Sequence, residues 1–238
     1  MRLFCFPYAG GNATVFRTWA EHLPEEIEVW PVELPGRGRR LSEKLFTEMN
    51  SLTTEMLLHF SGYLDKPFAV FGHSMGALIG FELAKHLRLK YGKSPVHLFL
   101  SSHRAPHLSV RDEPFHTLPE NEFVGKLQSL NGIPKEVLEH QELMTLMLPI
   151  LRSDFALCET YRITAAAFLD CPITAFGGLQ DESVPQEDLL PWREYTSSRF
   201  TFRQFPGDHF YLIQSKALLI QTISDILSSY LVKTNRSV

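Results

Sequence analysis

Short apolar runs alternate with amphipathic segments along most of the chain. Apolar residues in these segments recur at the spacing of a helix that buries one face. The apolar runs lie near residues 3–6, 27–32, 67–71, 96–100, 172–176 and 200–205. Strands that alternate with helices form a mostly parallel sheet with helices on both faces. The pattern therefore predicts an α/β fold.

The third apolar run is followed by Gly72-His73-Ser74-Met75-Gly76, and an apolar-periodic segment begins at Ala77. Between a strand and a helix, a G-x-S-x-G sequence forms a sharp turn that lifts the serine hydroxyl above the sheet. The glycines permit the close backbone approach that this turn needs. Ser74 is therefore the predicted nucleophile, and His73 is expected to pack or hydrogen-bond beneath the turn.

A serine hydroxyl is a weak nucleophile at neutral pH, so it needs a base and an acid that orients the base. In hydrolases built on this turn, the acid and then the histidine follow the serine along the chain. Asp181 and His209 each follow a predicted strand, in that order. We predict that His209 is the base and that Asp181 orients it. Glu182 and Asp208 remain alternatives for the acid.

The negative oxygen of a tetrahedral intermediate requires hydrogen-bond donors. In this architecture one donor is the backbone N–H of the residue after the nucleophile, which is Met75. The second should come from the loop after an early strand, here Pro7 to Gly11. We nominate the Ala9 N–H, and spacing alone leaves Tyr8 and Gly10 as alternatives.

The strand–helix alternation is interrupted between residues 102 and 171. Apolar residues there recur at helical spacing, with turn signals at Asn131-Gly132 and Ile133-Pro134, and they predict three or more short helices. We expect this insertion, about residues 105–168, to lie over the site as a lid. The alternative is additional core packing without a gating role. The rest of the chain predicts one domain over residues 1–238.

Composition narrows the classes of function. The formal net charge of -4 does not favour nucleic acid or an acidic membrane surface. The sequence starts without a signal-peptide pattern, and its apolar runs are shorter than the roughly 18 residues of a membrane helix, so we expect a cytoplasmic protein. The cysteines Cys5, Cys158 and Cys171 lack metal-ligand spacing and are expected to be reduced. No metal and no cofactor are expected.

Five motifs in a fixed order resemble the type II thioesterases of nonribosomal peptide and polyketide synthesis. They are Phe6-Pro7-Tyr8-Ala9-Gly10-Gly11, Leu34-Pro35-Gly36-Arg37-Gly38-Arg39, Gly72-His73-Ser74-Met75-Gly76, Leu151-Arg152-Ser153-Asp154-Phe155 and Gly207-Asp208-His209-Phe210. The resemblance implies an α/β-hydrolase that forms an acyl-enzyme and cleaves acyl groups from the phosphopantetheine arm of acyl or peptidyl carrier proteins. It places the nucleophile at Ser74, the acid at Asp181, the base at His209 and the oxyanion amides at Met75 and Ala9.

Two other functions stay open from the sequence. The same residues could cleave oxygen esters, as in a lipase or carboxylesterase, or the scaffold could bind a ligand without turnover.

Arg37, Arg39 and Arg40 form a basic cluster that could dock an acidic carrier protein or could simply be solvated. We expect the protein to act as a monomer.

Overall fold

Six parallel strands form the centre of the protein. The computed structural model describes residues 1–108, 113–130, 140–163 and 168–234. The strands are β1 (Arg2–Phe6), β2 (Glu28–Pro31), β3 (Phe68–His73), β4 (His97–Ser101), β5 (Ile173–Gly178) and β6 (Phe200–Phe205). Their order in the sheet is β2-β1-β3-β4-β5-β6, and every neighbouring pair is parallel. The six predicted strands and the predicted α/β class are confirmed.

Seven α-helices lie within the described residues. They are α1 (Met49–Phe60), α2 (Met75–Tyr91), α3 (Glu120–Ser129), α4 (Gln141–Glu159), α5 (Gln186–Leu189), α6 (Tyr211–Gln214) and α7 (Lys216–Thr234). Short 3-10 helices occur at Ala13–Phe16, Trp19–His22, Gly38–Arg40, Ser61–Tyr63 and Leu190–Tyr195. Among the described residues, none of these helices combines the length and the apolar character that a membrane crossing requires.

The sheet is covered on both faces because successive strand residues point in opposite directions. In β1, Phe4 and Phe6 belong to the core formed with α1 and α2, whereas Leu3 and Cys5 belong to the core formed with α7. All four side chains are almost fully buried. This two-sided burial explains why the inner strands β1, β3 and β4 appear in the sequence as largely apolar runs.

The insertion contributes α3 and α4, which share a small apolar core around Phe123, Leu127 and Leu151. The prediction of short helices is wrong for α4, which has 19 residues. Its buried positions continue beyond Leu151 to Leu157, so one helical face extends through the whole segment. The predicted turns at residues 131–134 lie outside the described residues.

The parallel strands bring four loops to one edge of the sheet. The carboxyl ends of β1, β3, β5 and β6 lead into the loops that hold Ala9, Ser74, Asp181 and His209. In open α/β sheets this edge is where ligands bind.

Candidate active site

Ser74 occupies a strained turn between β3 and α2. Its backbone has φ 54° and ψ -120°, a region that residues with a side chain rarely adopt. A Cβ at Gly72 would lie 2.0 Å from the Gly76 carbonyl oxygen, and a Cβ at Gly76 would lie 2.2 Å from the Phe6 carbonyl oxygen. Both contacts are with backbone atoms, so both positions require glycine. The turn thereby presses the start of α2 against the end of β1.

The structure brings Ser74, His209 and Asp181 together. His209 Nε2 lies 3.0 Å from Ser74 Oγ, and His209 Nδ1 lies 2.9 Å from Asp181 Oδ2. The Asp181 side chain is fully buried, whereas the His209 side chain is 21% exposed. The other Asp181 oxygen, Oδ1, accepts hydrogen bonds from the Ser183 and Val184 amides at 3.1 Å each. The carboxylate is therefore fixed from both sides.

The environment of Asp181 favours its ionised form. Burial alone would raise the pKa of the carboxyl, but hydrogen bonding to His209, the charge of His209 and the Val184 amide outweigh it, and the pKa is lowered. An ionised Asp181 accepts the Nδ1 proton of His209. In the tautomer that carries its proton on Nδ1, Nε2 is the acceptor that faces the Ser74 hydroxyl.

Neither alternative acid faces His209. Glu182 is exposed. Asp208 Oδ1 accepts a hydrogen bond from the Phe210 amide at 2.8 Å and thus closes its own turn. Asp208, next to His209 in sequence, is thus bound to local backbone, whereas Asp181, 28 residues away, supplies the contact.

His73 lies beneath the turn as part of a buried hydrogen-bond chain. Its Nε2 lies 2.9 Å from the His209 carbonyl oxygen, and its Nδ1 lies 2.7 Å from Ser101 Oγ, which in turn contacts the Tyr211 hydroxyl. A carbonyl only accepts, so Nε2 donates, and Ser101 must donate to Nδ1. Burial, with the neighbouring His209, lowers the pKa of His73 to about 3, so the ring is neutral.

Two backbone amides beside Ser74 are unpaired. Within the part of the chain that the structure describes, neither the Met75 N–H nor the Ala9 N–H has a hydrogen-bond partner. Met75 is the first residue of α2, and Ala9 lies in the loop after β1 that contacts the elbow. The N-terminus of α2 adds the positive end of a 17-residue helix dipole. The two donors nominated from the sequence are thus free at the same edge.

A cavity of about 710 Å³ opens beside these residues. Ala9, Ser74 and His209 line it on the sheet side. Helices α3 and α4 and the residues that follow them supply apolar side chains opposite: Leu127, Leu130, Leu151, Phe155 and Cys158. Described residues of α3 and α4 therefore form part of the cavity wall. A largely apolar chamber of this size accommodates a flexible hydrocarbon chain.

The predicted basic surface cluster is wrong for Arg37. Its side chain is only 6% exposed and forms a 2.6 Å ion pair with Asp154 of α4. Arg39 is exposed, and Arg40 pairs with Glu43 at 2.6 Å. Asp154, to which no role was assigned from the sequence, is fully buried as well, so the two opposite charges are buried as a pair.

A signal for Asp154 was present in the sequence. It lies on the apolar stripe of α4, three residues after Leu151 and three before Leu157, where a carboxylate is buried only with a partner. The pattern indicates that a partner exists but does not identify it.

Comparison with known proteins agrees with this fold. Residues 1–229 match the thioesterase domain family. LgrE of Brevibacillus parabrevis, named linear gramicidin dehydrogenase, is 43% identical over 233 residues, which cover 97% of this chain and 89% of LgrE. The structure of ClbQ from the colibactin NRPS/PKS pathway has a TM-score of 0.92 at 32% identity and covers 97% of this chain and 98% of its own.

The type II thioesterase BorB from the borrelidin biosynthetic cluster has a TM-score of 0.86 at 34% identity, over 94% of this chain and 91% of BorB. These similarities extend over nearly the whole chain, and they confirm the resemblance and the hydrolase fold inferred from the five motifs. The chain belongs to the thioesterase domain family and is a hydrolytic enzyme of that family.

Proposed function

We propose that this enzyme hydrolyses acyl thioesters on the phosphopantetheine arm of carrier proteins that serve a nonribosomal peptide or polyketide synthase. The observation that carries the proposal is the 3.0 Å contact between Ser74 Oγ and His209 Nε2, with Asp181 at the opposite ring nitrogen. The pathway assignment is supported by the similarity to ClbQ, from the colibactin NRPS/PKS pathway, and to BorB, a type II thioesterase from the borrelidin biosynthetic cluster.

The reaction follows from the contacts at the site. Ser74 Oγ attacks the thioester carbonyl carbon while its proton passes to His209 Nε2, and Asp181 stabilises the imidazolium that forms. Collapse of the tetrahedral intermediate breaks the C–S bond, and His209 returns the proton to the departing pantetheine thiol. A water molecule, deprotonated by His209, then attacks the acyl-serine, which releases the carboxylic acid and restores the Ser74 hydroxyl.

The unpaired Met75 and Ala9 amides are the proposed oxyanion donors. They come from the start of α2 and the loop after β1, which the Gly76 contact holds together. Because the substrate carbonyl gains full negative charge only in the tetrahedral state, these donors lower the barrier more than they strengthen substrate binding.

The cavity is the proposed acyl site, and the insertion of about residues 105–168 is its proposed lid. Its lining includes Leu127 from α3 and Phe155 from α4, so part of the wall belongs to the insertion. An acyl chain bound in this cavity would contact these helices. This arrangement supports a role of the insertion in admitting substrate as well as in packing.

Of the predicted basic cluster, Arg39 is the residue that remains available to an acidic carrier protein. It is exposed, whereas Arg40 donates to the Glu33 carbonyl oxygen and pairs with Glu43. Arg39→Glu should raise the apparent KM for an acyl-carrier substrate at low salt and leave the KM for a small thioester unchanged. An unchanged KM for the carrier at low salt would exclude this contact.

The dehydrogenase activity in the name of LgrE is less well supported for this chain than thioester hydrolysis. Dinucleotide-binding folds carry a G-x-G-x-x-G turn after their first strand. Here β1 leads into Pro7-Tyr8-Ala9-Gly10-Gly11, which lacks that glycine spacing. Hydrolysis, in contrast, gives a role to the serine, to its hydrogen-bond partners and to the two unpaired amides.

One comparison tests the proposal against the two alternatives. The purified enzyme is assayed on an acylated holo carrier protein and on an oxygen ester of the same acyl chain, with Ser74→Ala as the control. We expect preferential hydrolysis of the thioester and a loss on the order of a millionfold in kcat for Ser74→Ala. Preference for the oxygen ester would support a carboxylesterase, and failure of a fluorophosphonate to label Ser74 would support a binding protein.

A further inference from the structure

The buried Arg37–Asp154 pair contacts the loop that holds Ala9. Asp154 Oδ2 accepts a hydrogen bond from the Gly10 amide at 2.8 Å and from Arg37 Nη1 at 2.7 Å. Asp154 Oδ1 accepts from Arg37 Nη2 at 2.6 Å. The guanidinium is thus bound through two parallel hydrogen bonds, the geometry that gives an arginine–carboxylate pair its strength and direction.

Arg37 also reaches the loop directly. Its Nη1 donates to the Gly11 carbonyl oxygen at 3.1 Å. The pair therefore binds the N–H at one side of the Gly10-Gly11 segment and the C=O at the other. Three segments meet here: the loop after β1, the loop after β2 and helix α4, with 117 residues between Arg37 and Asp154 along the chain.

Packing restricts the same loop from the side of α4. Gly10 has φ 75°, and a Cβ there would lie 2.6 Å from Leu151 Cδ2. Leu151 also lines the cavity, and it precedes Asp154 by one helical turn. Helix α4 therefore presents to the loop both an apolar contact and a charged hydrogen-bond acceptor.

The location of this pair suggests a role besides stability. Burying two opposite charges gains little stability over an apolar pair of similar shape, because desolvation offsets their attraction. The hydrogen bonds to Gly10 and Gly11, however, fix the orientation of the peptide units that follow Ala9. An oxyanion donor is effective only when it is aligned before the reaction.

We propose that Arg37 and Asp154 are positioning residues that hold the Ala9 amide in its oxyanion-binding orientation and tie it to α4. The inference rests on the proposed function, since it assigns Ala9 as an oxyanion donor. It requires that the loss of either partner weakens binding of the tetrahedral state and leaves binding of the ground state intact.

The experiment compares wild type, Asp154→Asn and Arg37→Lys, with Arg40→Gln as the matched control. Arg40 belongs to the same loop and its ion pair is with the surface residue Glu43. For each protein, kcat and KM are measured on an acyl-N-acetylcysteamine thioester. Binding is measured for a trifluoromethyl ketone, which forms a tetrahedral adduct with the serine, and for the matching methyl ketone, which does not.

We expect Asp154→Asn to lower kcat and trifluoromethyl ketone affinity together by about 10- to 100-fold, less than the loss of a whole oxyanion donor. KM and methyl ketone affinity should stay within about threefold of wild type, in keeping with a contact made only in the transition state. Arg37→Lys keeps the positive charge but loses the two parallel hydrogen bonds of the guanidinium, so it should show the same pattern with a smaller loss of kcat and of trifluoromethyl ketone affinity. Arg40→Gln should behave as wild type.

Two outcomes would overturn the inference. One is a folded Asp154→Asn or Arg37→Lys with wild-type kcat and trifluoromethyl ketone affinity, and another is an equal loss of affinity for both ketones. If Asp154→Asn does not fold, Arg37→Lys decides alone, with its melting curve as the check on structure. Failure of the wild type to hydrolyse the thioester would instead count against the proposed function.

Discussion

The Nε2 atom of His73 donates a hydrogen bond to the carbonyl oxygen of His209, over a distance of 2.9 Å. The residue that precedes the serine thus supports the backbone of the residue proposed to activate it. Serine and histidine are held by one buried network, although 135 residues separate them along the chain. A change at His73 should affect both stability and turnover.

His73→Asn should reduce the dependence of stability on pH. The folded pKa of about 3 lies below the ordinary value of 6.5, so between these values the unfolded chain binds a proton that the folded protein does not. Stability is therefore lost as pH falls through this window, by about 2 kcal/mol at pH 5. Urea unfolding at pH 7.5 and pH 5 should show a smaller loss in His73→Asn than in wild type.

The exposed His59, whose side chain is 63% accessible, provides the control for this measurement. His59→Asn should keep the wild-type difference between the two pH values. Equal differences in wild type and His73→Asn would contradict the assignment of a neutral buried ring.

Asp181→Asn should lower kcat by about 10⁴-fold, because an amide no longer fixes the tautomer that offers Nε2 to Ser74. The neighbouring carboxylate supplies the control: Glu182→Gln should keep kcat within about twofold, since Glu182 is exposed. Steady-state hydrolysis of a small thioester measures both. A large loss of kcat in Glu182→Gln with a small loss of kcat in Asp181→Asn would instead identify Glu182 as the acid that orients the histidine.

Gly76→Ala should destabilise the protein by about 3 kcal/mol or more, because the added methyl would lie 2.2 Å from the Phe6 carbonyl oxygen. Gly125 in α3 is the matched case, with no atom within 4 Å of the added methyl. Gly125→Ala should gain up to about 1 kcal/mol from helix propensity. Denaturant unfolding distinguishes the two, and a stable, active Gly76→Ala would contradict the close approach.

Cys158→Phe should shift the preference towards short acyl chains. Cys158 of α4 lines the cavity, so a larger side chain there leaves less room for a long chain than for a short one. Cys158→Ser, close in size, should keep the wild-type preference. The ratio of kcat/KM for octanoyl and acetyl thioesters should fall at least about tenfold in Cys158→Phe. An unchanged ratio would mean that the acyl chain lies elsewhere.

The sequence predicts the sheet and the Ser74, Asp181 and His209 contacts because the signals are local. Most strands are apolar runs, and the three residues lie within four residues of the ends of β3, β5 and β6, so parallel pairing alone brings them to one edge. The contacts of Arg37 are not predicted for the opposite reason. In sequence it lies beside Arg39 and Arg40, which resemble a solvated patch, and its partner is 117 residues away.

The length of α4 illustrates the same limit. Apolar spacing indicates a helix around Leu151, but a residue pattern places helix ends poorly when one face stays buried over several turns. Which side of that helix meets the loop after β1 depends on tertiary packing, through the Leu151 contact with Gly10.

The Asp154 contacts also limit how freely parts of related enzymes can be exchanged. A chimera that takes residues 105–168 from a relative without an aspartate at position 154 would leave Arg37 as an isolated charge in an apolar interior. Recombination boundaries at the ends of the insertion would therefore separate Arg37 from Asp154, and these two residues should come from the same parent protein. Grafts intended to alter chain-length preference should carry the loop after β2 along with the helices.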